Sequence, residues 1–331
     1  MLLPVLLFFL LTLSLPGQRA AIVPAEPNFL PGISDSNNPS FWRGDELIVY
    51  QSNGLPIMSM GPGQRGPFRT QAVHLDRYDH VPLWIEAAWT DDDGTVYAWY
   101  HHEVWVCGEL AAPEIGALVS RDGGWRFEDL GIVLRSGYGN DCGARNGYFA
   151  GGHGDFTVLV DPRREHFYFY FGNYSGPESS QGVAVARMAF TSRDEPAGRV
   201  WKFHDGEWRE PGLGGRVTAI LPVSTPWGSE STDAFWGPAL HWNTYLNQYV
   251  MLLNRACCEP GWPQAGIYVA FNPDLANPHG WTPPEQILSA GQSGWYPQVI
   301  GAEAGMTDKI AGKVARFYMG SDSWWEIVFD W

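Results

Sequence analysis

Apolar and polar positions along this chain fall into short runs, and the runs recur as one phrase. An aromatic-rich apolar stretch is followed by a tight polar turn and then by a second aromatic stretch. The phrase reads SDSNNPSFWRGDELIVYQS from Ser34 and LWIEAAWTDDDGTVYAWYHHE from Leu83. It returns as GDFTVLVDPRREHFYFYFGNY from Gly154, as DAFWGPALHWNTYLNQYVMLLNR from Asp233, and as WYPQVIG…GKVARFYMGS from Trp295. Within each run the β-branched and aromatic residues suit strands, and clusters such as Asp91-Asp92-Asp93-Gly94 suit the turns between them. No stretch keeps the i, i+3, i+4, i+7 spacing of an amphipathic helix with caps. Recurrence of one supersecondary unit over tens of residues marks a repeat architecture. Five copies predict an all-β fold, a five-bladed β-propeller of four-stranded antiparallel blades.

The first residues follow another pattern. Leu2 to Leu15 is almost wholly apolar, shorter than the ~20 residues a helical membrane span needs. Pro16, Gly17 and the small residues Ala20 and Ala21 follow, as at a signal-peptide cleavage site, although no Lys or Arg precedes the apolar run. The expectation is a signal peptide over 1–21 and a single propeller domain over 22–331, secreted or periplasmic, with an uncleaved anchor as the alternative. The last residues, Trp324 to Trp331, read as a strand that either completes blade five or pairs with the segment near Ile22 to Leu30 to close the ring.

Composition narrows the partners. The 331 residues carry a formal net charge of −15, which argues against nucleic acid and against anionic membrane surfaces. Aromatic residues make up 15% of the chain, including 17 Trp, enough to fill the wedges between twisted blades and to leave some as platforms for sugars. The four cysteines show no metal-ligand spacing. Export makes disulfides available to them. One pairing joins Cys107 to Cys142 and Cys257 to its neighbour Cys258; others are open to the same four cysteines. Ser120-Arg121-Asp122-Gly123-Gly124-Trp125-Arg126-Phe127 matches the Asp-box pattern of sialidases and related propellers, a hairpin-building device rather than a chemical one. The arginine triad of a sialidase has no counterpart at matching positions.

In a propeller the innermost strand of each blade starts at the functional face and the second strand ends there. Residues before the first strand and after the second should therefore rim the central pocket. This rule selects Asp35, Glu86, Asp155, Asp233 and Glu103 as candidate catalytic acids. Several carboxylates in one pocket suit glycoside hydrolysis, in which one stays protonated to donate to the leaving oxygen and another, ionised, activates water or attacks carbon. Glu86, flanked by Trp84, Ile85 and Ala87, is the candidate for a carboxyl held protonated by desolvation. By position, Trp42, Trp84, Trp236, Trp242, Trp295, Tyr296, Asn243 and Arg255 are candidate sugar contacts, and His102, His153 and His241 fall near predicted inner-strand ends.

The chain thereby resembles the five-bladed propeller glycoside hydrolases around families 43 and 117, with levansucrase and invertase as more distant relatives. The resemblance spans roughly Ser34 to the end. It implies that Asp35, in Ser34-Asp35-Ser36-Asn37-Asn38-Pro39, is the general base or nucleophile. It implies that Asp155, in Gly154-Asp155-Phe156, modulates the acid or orients the sugar. At the third position the chain departs: where family 43 carries its acid in Glu-Gly-Pro, this sequence has Trp236-Gly237-Pro238. The acid then comes from Glu86 first, Glu103 next, Asp233, or a histidine as in family 117. The reading is a monomeric hydrolase of a poly- or oligosaccharide. It expects no cofactor and no catalytic metal, with room for a structural calcium in the central channel. A non-catalytic carbohydrate-binding propeller and a structural or protein-interaction propeller are the rivals, because fold alone does not decide among them.

Overall fold

A computed structural model describes residues 17–331. The apolar run Leu2–Leu15 lies outside the described residues. Among those described, no helix is long and apolar enough to cross a membrane, and the helical content is three short 3₁₀ turns.

Five antiparallel sheets form the ring. Blade one runs Ser40–Arg43, Glu46–Ser52, Pro56–Gly61 and Arg69–Ala72 from the axis outward. Blade two runs Leu83–Thr90, Val96–Cys107, Leu110–Ser120 and Arg126–Leu134, with His74–Leu75 added in parallel at its outer edge. Blade three runs His153–Val160, His166–Asn173, Gly182–Ala189 and Val200–His204, and Glu207–Pro211 extends it. Blade four runs Asp233–Asn243, Gln248–Cys257, Gln264–Asn272 and Glu285–Ser289, with Ile310–Ala311 in parallel beside its first strand. Blade five starts with Pro297–Gly301, Val314–Met319 and Asp322–Asp330. Its fourth strand is Arg19–Phe29 from the other end of the chain, paired antiparallel from Arg19↔Asp330 to Phe29↔Asp322. Of the two expectations for the C-terminal strand, pairing with the N-terminal segment is the one observed: Asp322–Asp330 is the third strand of blade five and Arg19–Phe29 completes it.

The core lies between the blades, because each sheet has two apolar faces to cover. One cluster joins blades one and two around Tyr50, Ile85 and Tyr100. Another joins two and three around Trp99, Phe156 and Phe169. Tyr170, Leu240 and Met251 join three and four, Leu252, Phe317 and Phe329 join four and five, and Val49, Ile300 and Tyr318 join five and one. A sixth cluster, built on Tyr174, Trp227, Trp236 and Trp262, is made largely by loops and caps one end of the ring.

The Asp box links the third and fourth strands of blade two. Asp122 Oδ1 accepts the N–H groups of Trp125 and Arg126 at 3.1 and 3.0 Å, and Ser120 Oγ accepts that of Gly124 at 2.9 Å. Gly124 has φ +93°, and an added Cβ would meet the Tyr50 hydroxyl of blade one at 2.2 Å. That hydroxyl donates to Gly124 O at 2.7 Å, so the turn also wedges two blades together. All four cysteines are bonded, Cys107 to Cys142 and Cys257 to Cys258.

Candidate active site

The first strands of blades two, three and four each carry a register shift at the same end. Ile85 pairs with Tyr100 and Ala87 with Trp99, which leaves Glu86 as the extra residue. Gly154 pairs with Gly172 and Phe156 with Phe171, which leaves Asp155. On blade four Gly237 and Pro238 together stand opposite the single Leu253. A bulge kinks its strand and re-aims the unpaired side chain. Here it turns two carboxylates toward one another: oxygens of Glu86 and Asp155 and a ring nitrogen of His101 lie within 4.8 Å of each other. Asp155 holds φ +44°, a left-handed conformation rare for residues with a Cβ.

Each buried group has defined partners. Glu86 is 2% exposed and accepts the Phe156 N–H at 2.7 Å. Its other oxygen stands 3.6 Å from His101 Nδ1. His101 Nε2 stands 3.7 Å from Glu103. Tyr174 donates its hydroxyl to one oxygen of Asp155, and Tyr296 donates to the other at 3.3 Å. Tyr296, at φ +58°, is fixed by its N–H bond to Asn254 Oδ1 at 3.2 Å. Asp35, on the loop before blade one, is anchored by its N–H to Ser52 O at 2.8 Å and keeps its side chain in solvent.

The electrostatics follow from burial and crowding. Desolvation raises Glu86 to about 7, with Asp155 adding to the rise while His101 and the Phe156 N–H oppose it. Asp155 is raised by burial against the pull of His101 and Tyr174. Although Asp35 is exposed at the mouth, the protein around it desolvates its carboxyl and raises it, and the charges of Asp155 and Glu103 add to the rise while His101 opposes it. His101 is the reverse case. Burial would lower it, yet Glu103 and Glu86 outweigh burial and hold it well above the usual imidazole range. Neutral His101 accepts the Asp155 N–H at Nδ1, 3.2 Å away, with its proton on Nε2 toward Glu103; protonated, it faces two carboxylates.

An aromatic wall adjoins the acids. Trp262, at φ +53°, packs 5.5 Å from Trp236, 5.8 Å from Tyr174 and 5.0 Å from Tyr148. Trp295 meets Trp236 edge-on at 5.6 Å. Trp84 stands edge-on to His101 at 5.5 Å.

The structure therefore gathers Asp35, Glu86, Glu103 and Asp155 with Trp84, Trp236, Trp295 and Tyr296. The remaining candidates lie elsewhere. Asp233 is held bidentate by Arg255, at 2.8 and 2.9 Å, so each neutralises the other. Trp42 donates its ring N–H to Met306 O at 2.8 Å and packs between blades five and one. His102 faces away from His101, bonding Pro82 O at 3.0 Å. His153 is buried against Phe171, 4.7 Å away, and is pushed well down by burial and by Lys202. Trp242 and Asn243 end the first strand of blade four at the face opposite the acids: Trp242 packs on Tyr249, and the Asn243 oxygen caps the Tyr245 and Leu246 N–H groups. His241, on the same strand, is buried in the channel and pushed to about 3 by burial and then by Lys309.

His101, Tyr174, Trp262 and Tyr148 were not among the sequence candidates. The signal for His101 is strand alternation: it shares a strand face with Glu103 two residues on.

No family model matches the chain, and no curated protein is similar to it in sequence. Solved structures are. A thermostable family-43 glycoside hydrolase superposes with TM-score 0.54 at 12% identity, covering 91% of this chain and 92% of that one. An endo-arabinase from Bacteroides thetaiotaomicron gives 0.54 at 13% identity, over 91% and 96%. A putative exo-β-1,3-galactanase from Bifidobacterium bifidum gives 0.51 at 13% identity, over 91% of both chains. What this chain shares with them over nine-tenths of its length is the five-bladed propeller fold.

Proposed function

We propose that this protein is a secreted glycoside hydrolase acting on a neutral poly- or oligosaccharide. The observation that carries the reading is the convergence of Asp35, Glu86, Glu103 and Asp155 around His101 at one end of the propeller axis. The similarity of the fold to arabinanase and galactanase structures agrees with it.

The groups divide the labour by exposure. Asp35, in solvent at the mouth, serves as base or nucleophile in its ionised form. Glu86, raised to about 7, stores the proton. Being buried, it gives that proton to Nδ1 of neutral His101 as His101 gives its Nε2 proton to ionised Glu103, whose side chain is 22% exposed. Each gap in this relay closes to hydrogen-bond length with a shift of under ~1 Å. Asp155, fixed by two tyrosines, orients the pair and sets its charge.

The donors in the channel do not make a strong calcium site. His241 Nε2 and Asn37 Oδ1 are buried without partners, but the Asp308 carboxylate beside them is engaged by Ser40 and Lys309. Calcium prefers several oxygen ligands, so these donors would hold it only weakly.

The test is hydrolysis of arabinans, galactans, xylans and aryl glycosides by the wild type beside Asp35→Asn, Glu86→Gln and Glu103→Gln. The expected outcome is sugar release by the wild type and a loss of about 10²–10⁴-fold in each variant, with circular dichroism unchanged. A second reading, a carbohydrate-binding propeller without catalysis, is favoured by Trp236 at the place of the family-43 acid. Sugar binding without release across the panel would select it.

A further inference from the structure

Exposed tryptophans occur in several places, and one lies on the strand that carries His101 and Glu103. Trp125 belongs to the Asp-box turn and packs on His74 at 5.6 Å, and Trp324 packs edge-on against Phe29 at 5.4 Å. Trp105 is 59% exposed and sits on the second strand of blade two beyond the point where the inner strand stops. Leu83 pairs with His102, so from Glu103 onward this strand has only its hairpin partner, through Glu103↔Pro113 and Trp105↔Ala111.

Side chains alternate along a strand, so His101, Glu103 and Trp105 share one face. His101 stands 3.6 Å from Glu86 and in one cluster with Asp155, so this face is the one turned to the acids. Trp105 lies one step further out, roughly 7 Å beyond Glu103 along the strand. Its support is stiff. Cys107, two residues on, is bonded to Cys142. Ala111, opposite Trp105, exchanges backbone hydrogen bonds with Tyr148 and Ala150 at 2.9 and 2.8 Å, which ties the hairpin to the loop that supplies the aromatic wall. A large aromatic surface held in water on a rigid hairpin loses little entropy when a ligand covers it.

We infer that Trp105 is an outer sugar platform, stacking on the apolar face of a neutral saccharide residue beyond the bond that is cleaved, so that the site takes chains rather than single sugars. The inference rests on the hydrolase reading and deepens it. Neutral chains are specified because Asp35 and Glu103 line the approach and would repel uronates.

The test compares the wild-type protein with Trp105→Ala and Trp105→Phe. The probes are arabino-, galacto- and xylo-oligosaccharides of increasing length and the matching aryl monoglycosides, with binding of the same oligosaccharides measured by calorimetry in an Asp35→Asn background. In the wild type kcat/KM should rise with chain length. Trp105→Ala should lose about tenfold on the longer chains and almost nothing on the monoglycosides, with Trp105→Phe recovering most of the loss. Equal effects of Trp105→Ala on chains and monoglycosides, or none on either, would overturn the platform while leaving the hydrolase intact. A wild type that neither binds nor cleaves any probe would remove both readings.

Discussion

At the residue scale, the site turns on two buried groups that respond oppositely to the same burial. Desolvation raises Glu86 to about 7, whereas at His101 desolvation pulls down and three neighbouring carboxylates outweigh it, holding the imidazole above its usual range. If Glu86 stores the catalytic proton, kcat/KM falls as pH rises through about 7. Asp35 must be ionised, and its carboxyl is raised, so the acid limb of the profile should sit above the ordinary aspartate value. A pH–rate profile of the wild type and of Glu103→Gln checks both limbs; an alkaline limb well above neutrality would remove Glu86 from the relay. The same shift fixes the sign of a stability effect. Folded Glu86 binds its proton more tightly than unfolded Glu86, so between about 4.5 and about 7 its contribution declines as pH rises. His101, also raised, acts in the same direction. Urea titrations should show the wild type losing stability relative to Glu86→Gln across that window.

At the scale of elements, bulges and turns decide which residues reach the site. The alternation of apolar and polar positions was enough to find the inner two strands of each of the five blades, and the Asp box was enough to find a hairpin. It did not reveal the bulges, because one extra residue is a matter of register and leaves no mark on composition. Asp155 was therefore legible as a strand-opening acid and Glu86 as an acid inside its strand, but their convergence on His101 was not, and the histidine choice fell on His102 instead. Trp242 and Asn243 were drawn from the correct strand at its wrong end: Asp233–Asn243 has eleven residues, and ~3.4 Å per residue separates its ends by the thickness of the ring. The Asp-box turn offers an energetic test. Gly124→Ala forces a Cβ into the left-handed region and onto Tyr50 of the adjoining blade. It should cost about 2–5 kcal/mol of unfolding free energy, whereas Gly94→Ala, with open space around it, should show only the backbone part of that cost.

On the scale of the whole molecule, five interblade cores share the stability, and the ring closes only where Arg19–Phe29 meets Asp322–Asp330. The C-terminal strand buries Ile327 and Phe329 completely, in a cluster that also packs Ala20 and Ile22 from the N-terminal strand. Losing two such side chains removes about 3–6 kcal/mol, against a typical total of about 5–15 kcal/mol. Deleting Trp324–Trp331 also strands Arg19–Phe29 without a partner, so the truncated chain should show no cooperative melt at the wild-type temperature. The pairing register allows a sharper experiment. Arg19 lies opposite Asp330, so a short turn placed after Trp331 would lead directly into Arg19–Phe29 as a hairpin, with a new start at Leu30. This permuted protein keeps every blade contact and gives up only the contribution of both chain ends to one sheet. If closure acts through those contacts, the permuted protein should melt within a few degrees of wild type and keep its activity. If it melts as low as the truncated chain, the stability of the ring depends on joining the two ends of the chain, and the contacts of blade five would not account for it.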